Sequence, residues 1–119
     1  MKSWTRPDLT FTVNKLAQFS SNPGVAHYEA LKQVLRYLNG TAHFGLTFGR
    51  LGDAVDLVGW TDSDWAQDPD SRRSIGGFVF NVAGGRVSWS SKKQPTVALS
   101  TAESEYMAAS NATKEAIWL

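Results

Sequence analysis

Apolar positions along the chain change period three times, and each change marks an element. Leu9, Val13, Leu16 and Ala17 recur at helical spacing behind Pro7. Proline suits a first helical turn, where its missing N–H would have no partner. Asn22-Pro23-Gly24 ends this segment with turn chemistry. A second helix is predicted from about Ala26 to Asn39, with Tyr28, Leu31, Leu35 and Leu38 on its buried face and Gly40 as its stop. Phe44, Leu46 and Phe48 then alternate with Gly45 and Thr47, which reads as a strand.

The second half has the period of a sheet. Val55 to Trp60 is a β-type run leading into Thr61-Asp62-Ser63-Asp64, followed by a polar loop from Asp68 to Ser74. Phe78, Phe80 and Val82 alternate with Val79 and Asn81; Gly84-Gly85 supplies a hairpin turn, and Val87 and Trp89 alternate on the return strand. Three strands joined by short turns predict an antiparallel sheet. After Gln94-Pro95 the period becomes helical again. Ser100-Thr101-Ala102-Glu103 has the form of a capping box, and Ala-rich sequence runs to Leu119. The expected fold class is α+β: a helix pair and a strand over residues 1–50, then three antiparallel strands and a covering helix over residues 51–119.

Composition narrows the chemistry. The 119 residues hold no Cys, which excludes a disulfide framework, a thiolate metal site and a cysteine nucleophile. A reducing, intracellular compartment is the expectation. No apolar run reaches the roughly 20 residues of a membrane span, and the opening residues lack a signal-peptide pattern. The net charge of +1 hides an asymmetry. Residues 1–50 carry six basic and two acidic side chains, residues 51–119 six basic and nine acidic. Six of those nine are Asp between Asp53 and Asp70, a run without a basic residue.

Asp62 and Asp64 stand two apart on a strand and so share a face. A calcium loop starting at Asp62 fails, because its sixth position is Gln67 and its twelfth Arg73. Zinc fails for want of cysteines, with only His27 and His43 available. No nucleophile elbow or phosphate-binding glycine loop is present. What remains is a hard-cation site of Asp on a strand plus an acid from elsewhere. The last helix offers Glu103, which the cap uses, and Glu105, which would share a small-residue face with Ala109 and Ala112 and approach the sheet. The two differ by roughly 200° around the helix, so only one can face it. Lys32, Arg36, Arg72, Arg73, Lys92 and Lys93 are the candidate phosphate contacts. A solvated helix surface is the simpler reading of Lys32 and Arg36.

Long motifs then carry a resemblance. Val58-Gly59-Trp60-Thr61-Asp62-Ser63-Asp64-Trp65-Ala66, Asp68-Pro69-Asp70-Ser71-Arg72-Arg73-Ser74, the run Val87 to Ser100, and Thr101-Ala102-Glu103-Ser104-Glu105-Tyr106 resemble the ribonuclease H domain of copia-type retrotransposon Pol polyproteins. Arg6-Pro7-Asp8-Leu9 and Leu35-Arg36-Tyr37-Leu38-Asn39-Gly40-Thr41 resemble the segment joining the reverse transcriptase to that domain. The resemblance covers nearly the whole chain. It implies a partial ribonuclease H-like fold, in which acidic ligands hold two divalent ions, Mg2+ or Mn2+, at an RNA–DNA hybrid. Asp62 takes the place of the first-strand aspartate and Glu105 that of the helix glutamate, with Asp64 secondary. Arg72, Arg73, Lys92 and Lys93 would contact nucleic acid. The remaining family ligands lie on later elements, and the paired aspartates of the reverse transcriptase lie upstream. The implied partners are an RNA–DNA hybrid and the rest of the Pol polyprotein, with no membrane; the implied compartment is a cytoplasmic particle. Alone, the chain is expected to bind metal weakly and to be inactive. A binding module without catalysis and a decayed transposon remnant are the alternatives. Uncovered aromatic residues among Trp60, Phe78, Phe80 and Trp89 are expected to leave it marginally stable.

Overall fold

The computed structural model describes residues 5–49 and 56–119; Val55, the expected start of the first strand, lies outside them. The chain forms two compact units that divide between Leu46 and Thr47.

In the first unit a short 3-10 turn, Pro7–Leu9, leads into α1 (Thr10–Ala17), and α2 spans Val25–Gly40. Leu9 and Val34 form its buried centre. Of the expected apolar face of α2 only Leu38 is half-buried; Tyr28 is 59% exposed and Leu35 57%, and Leu31 is exposed as well. Ala30 and Val34 turn inward beside it. Polar contacts at both ends set this rotation. Arg6 makes a two-pronged ion pair with Asp8, its Nη2 lying 2.8 Å from Oδ2, and donates to Thr41 Oγ1 at 2.7 Å. The Tyr37 hydroxyl donates to the same Asp8 carboxylate at 2.9 Å. These partners hold the Asp8 carboxyl below the usual carboxylate range, Arg6 contributing most. At the start of α2, His27 Nδ1 accepts from the Gly24 N–H at 2.9 Å, and the imidazole stacks on Phe19 with ring centres 4.0 Å apart. The helix end is thereby capped by its own third residue.

The second unit is a sheet with one helix on it. Strands β1 (Leu57–Asp64), β2 (Ile75–Val82) and β3 (Gly85–Lys93) run antiparallel in the order β1-β2-β3, and α3 spans Thr101–Trp118. The fold class is α+β, as expected. Residues 44–49 form no strand. Their alternation has another purpose: Phe48 lays its ring where a Cβ on Gly85 would sit, 2.1 Å from that position, and Gly49 N donates to Ala83 O. The hairpin turn is Ala83-Gly84, both at positive φ, rather than Gly84-Gly85. Two successive left-handed residues match the twist of antiparallel strands, and Gly85 is reserved for the Phe48 ring. A register shift between Phe80 and Asn81 leaves Val87 as an extra residue, breaking the simple Val87–Trp89 alternation.

Register decides what each face of the sheet presents. Phe80 opposes Gly59 and Ser88; Gly76 opposes Ser63. A Cβ on Gly76 would meet Ala108 of α3 at 3.3 Å, so this face lies under the helix. Ser104, Ala108 and Ala112, at i, i+4 and i+8, form the buried stripe of α3. Small residues here let helix and sheet approach closely. Phe80 is 6% exposed and fills the space above Gly59, where a Cβ would stand 2.2 Å from its ring. The other face carries Val58, Trp60, Val79 and Trp89, and Trp60 is 56% exposed. Trp60, Phe78, Phe80 and Trp89 are not all covered, as expected: α3 buries Phe80 while Trp60 stands open.

α3 begins with a true cap. Glu103 N donates to Ser100 Oγ at 3.1 Å, and the Glu103 carboxylate accepts from Leu99 N at 2.7 Å, one residue ahead of the usual capping-box partner. Replacing Ser100 with Ala should cost about 1 kcal/mol in the urea unfolding of the chain, and Ser100→Thr should restore it.

Candidate functional site

Loop residues between β1 and β2 bring the chain's acidic and basic candidates to one end of the sheet. Asp62 opposes Gly77 and Asp64 opposes Ile75; Ile75 in turn opposes Lys93, and Gly76 opposes Lys92. The strand order therefore sets two carboxylates, on β1, and two lysines, on β3, at either side of the start of β2.

Asp62 and Asp64 are exposed and share one pleat face, as their spacing dictates. Asp62 Oδ1 accepts from the N–H of Ser63 at 2.9 Å. That face is the one turned from α3, because Ser63, between them, looks toward the helix and receives Gln94 Nε2 at 3.4 Å. Asp62 thus does not look across at α3, as a bridging ion between Asp62 and Glu105 requires. Val58 and Trp60 accompany it on the open face, so the register that would turn all three toward the helix is not the one adopted. Glu105 is likewise displaced. The small-residue face that reaches the sheet is Ser104-Ala108-Ala112, not Glu105-Ala109-Ala112; Glu105 lies about 100° from that line and is exposed. Among the described residues no three His, Asp or Glu side chains gather closely enough to hold a metal ion.

Lys93 is committed internally. Its Nζ lies 2.8 Å from Asp68 Oδ2, and Asp68 is 5% exposed. The same carboxylate accepts from Ser71 N at 3.1 Å and from the Ser71 hydroxyl. Lys93 and the Ser71 hydroxyl together hold the Asp68 carboxyl far below the usual carboxylate range. Around this anchor the backbone closes on itself: Arg72 N donates to Asp68 O at 2.8 Å, Asp68 N to Arg73 O at 3.2 Å, and Ala66 N to Ser74 Oγ at 3.1 Å. Ala66 and Arg72 both sit in the left-handed region, at φ 50° and 55°. Such residues persist where the surroundings over-determine them. Arg72 and Arg73 emerge exposed from this loop; Lys92 is exposed on the neighbouring strand. In the first unit, Lys32 pairs with Glu29 at 2.9 Å and lies over the Tyr28 ring, the behaviour of an ordinary solvated helix face.

Two residues that composition and spacing did not single out hold the site's frame. Gln94 is buried; its Nε2 donates to Ser104 O at 2.9 Å while its N–H donates to Ser74 O at 2.8 Å. It ties α3, β1 and the β2 entry at one point. Asp68 is the second. Its signal was the Asp-Pro pair with Ser three residues on, a local side-chain-to-backbone turn; Lys93, 25 positions away, could be joined to it only by the fold.

The chain is similar to three proteins in particular. The Secreted RxLR effector protein 161 of Plasmopara viticola is 58% identical over 115 residues, covering 97% of this chain and 80% of that protein. The retrovirus-related Pol polyprotein from transposon TNT 1-94 of Nicotiana tabacum is 50% identical over 115 residues, and that from transposon RE1 of Arabidopsis thaliana 40% over 117. No protein-family model and no solved structure matches. These polyprotein matches take in 97–98% of this chain but only 8% of each polyprotein's length. This protein belongs to the family of retrovirus-related Pol polyproteins of copia-type transposons, of which it corresponds to one short segment.

Proposed function

We propose that residues 51–119 are the opening part of a ribonuclease H-type nuclease unit within a Pol polyprotein, with Asp62 as its first metal-binding carboxylate, and that residues 1–50 belong to the segment joining it to the reverse transcriptase. Glu105 is the proposed helix carboxylate and Asp64 a secondary one; because Asp62 and Glu105 do not face each other within this segment, the proposal requires the elements that complete the unit to bring both to the same ions. The observation that supports this reading best is the exposed Asp62–Asp64 pair on one face of β1, at the sheet end where the loop arginines also emerge. Two carboxylates side by side in solvent suit a hard, hydrated cation such as Mg2+ or Mn2+. The described residues do not complete such a site, so further ligands must come from outside them. An ion bound by a complete set would activate water and stabilise the leaving oxygen of the RNA strand.

The experiment uses the longer nuclease unit of a relative such as the tobacco polyprotein, with this segment in its natural place and an RNA–DNA hybrid as substrate. Asp62→Asn should abolish magnesium-dependent cleavage, and Glu105→Gln should do the same, whereas Glu103→Gln should spare it. Loss at Glu103 instead of Glu105 would move the helix ligand to the cap residue. Retained cleavage in Asp62→Asn would overturn the assignment of Asp62, and absence of magnesium-dependent cleavage by the unmutated unit would overturn the reading and leave a binding module without catalysis.

A further inference from the structure

Six cations are candidates for phosphate contact, and the structure separates those with internal duties from those without. Lys93 is held by a buried carboxylate and Lys32 by a neighbouring glutamate. Arg72 and Arg73 are exposed, and neither guanidinium makes an ion pair or hydrogen bond among the described residues. Their backbone, by contrast, is unusually constrained. Both are tied to Asp68 through the main chain, Arg72 N to Asp68 O and Asp68 N to Arg73 O. Arg72 is kept at φ 55°, which costs a β-carbon residue energy that the surroundings must offset. Asp68 itself is locked by Ser71 and by Lys93, so the loop is stapled to β3 from beneath. Glycine would relax the left-handed position, yet an arginine occupies it.

We propose that residues Asp68–Ser74 form a preorganised grip for the phosphodiester backbone of a nucleic acid, in which Arg72 and Arg73 make the contacts and Asp68, with Lys93, is the positioning pair. The inference rests on the reading of the chain as part of a nuclease unit acting on nucleic acid. The physical advantage is entropic. Two arginines on adjacent residues of a mobile loop would lose backbone freedom on binding; here that freedom is already spent by the Asp68 anchor. Guanidinium groups bind phosphate through paired N–H donors, so a fixed backbone directs them usefully. The pair also stands at the sheet end where Asp62 and Asp64 are displayed, so a strand gripped there runs past both carboxylates.

The test is direct binding by the full 119-residue chain of a short labelled RNA–DNA hybrid, with EDTA present so that cleavage is excluded, across about 50 to 200 mM salt. Arg72→Ala/Arg73→Ala should weaken binding and lower the slope of log affinity against log salt by about 2, one for each phosphate no longer neutralised. Arg72→Lys/Arg73→Lys should keep most of the slope. Asp68→Asn/Lys93→Met, which leaves net charge unchanged, should weaken binding several-fold at an unchanged slope. Ser71→Ala, a smaller lesion of the same anchor, should do so more mildly. An unchanged slope in the double alanine variant, or no binding by the wild-type chain at the lowest salt, overturns the grip. A slope reduced by Lys93→Met alone makes Lys93 a contact and overturns its positioning role. The hydrolysis test is independent: arginine-dependent binding with no magnesium-dependent cleavage by the unmutated nuclease unit would leave the grip standing and sink the nuclease reading.

Discussion

Phe80→Ala should leave the second unit of this protein unfolded at room temperature. Among the described residues Phe80 is the one aromatic side chain of the sheet that is almost fully covered, wedged between the bare backbone of Gly59 and the small-residue stripe of α3. Removing a buried phenyl ring costs about 3–5 kcal/mol. A domain of this size commands roughly the same amount in total. Among the described residues the other buried apolar side chains of this unit are Ile75, Ala98, Ala108 and Ala112, which cannot close over the vacated volume. Trp60, on the open face, provides the comparison: Trp60→Ala should change stability by about 1 kcal/mol or less. Gly59→Val should approach the severity of Phe80→Ala from the opposite side, since its Cβ would overlap the phenyl ring. Urea unfolding followed by circular dichroism measures all three. Equal effects of Phe80→Ala and Trp60→Ala would show that the core does not lie between α3 and the sheet.

The second large effect concerns acid. Asp68 is ionised in the fold and held far below the usual range by Lys93 and Ser71, whereas in the unfolded chain its carboxyl titrates near about 3.9. A depressed carboxyl contributes stability that is complete above the unfolded value and is lost as pH falls below it toward the folded value. Wild-type protein should therefore lose melting temperature steadily as pH drops from about 4 to 2. In Asp68→Asn the loss is already present at neutral pH, because Lys93 is left without its carboxylate and the Ser71 turn without its acceptor. The gap between the two proteins should be widest near neutrality and narrow in acid. A gap that is constant across pH would mean that the anchor is not an ion pair in solution. Asp68→Asn/Lys93→Met should recover part of the neutral-pH loss, since removing both partners of an ion pair leaves no buried charge unmatched.

Much of this architecture is legible in the sequence. The three antiparallel strands, the change to a helix after Pro95 and the Ser100–Glu103 cap all follow from local rules: alternation for strands, a hydroxyl and a carboxylate three apart for the helix start. These signals are short-range, and the structure keeps them. Residues 44–48 show where local rules give out. An alternating apolar pattern makes a strand only beside a partner with free hydrogen-bonding groups, and here Phe48 is used as a plug over Gly85 instead. The rotation of α2 is a similar case, since Tyr28, Leu31 and Leu35 are as apolar as a core stripe but Arg6, Asp8, Tyr37 and Thr41 turn the helix the other way.

For the site, sequence alone determined the inventory and one relation: Asp62 and Asp64 share a face because strand side chains repeat every two residues. Which face could not be read from it, for a one-residue change of register exchanges the two sides of a strand. Pairing with β2 decided that question, opposing Gly76 to Ser63 and placing α3 on their side, so that Asp62 looks away from the helix and Glu105 lies off the buried stripe. Lys93 was likewise a plausible phosphate contact as a residue in a basic pair, and only the fold brought it to Asp68, 25 positions earlier. Local chemistry is written in neighbouring residues, whereas the direction a carboxylate faces and the partner a lysine finds depend on contacts far apart in the chain.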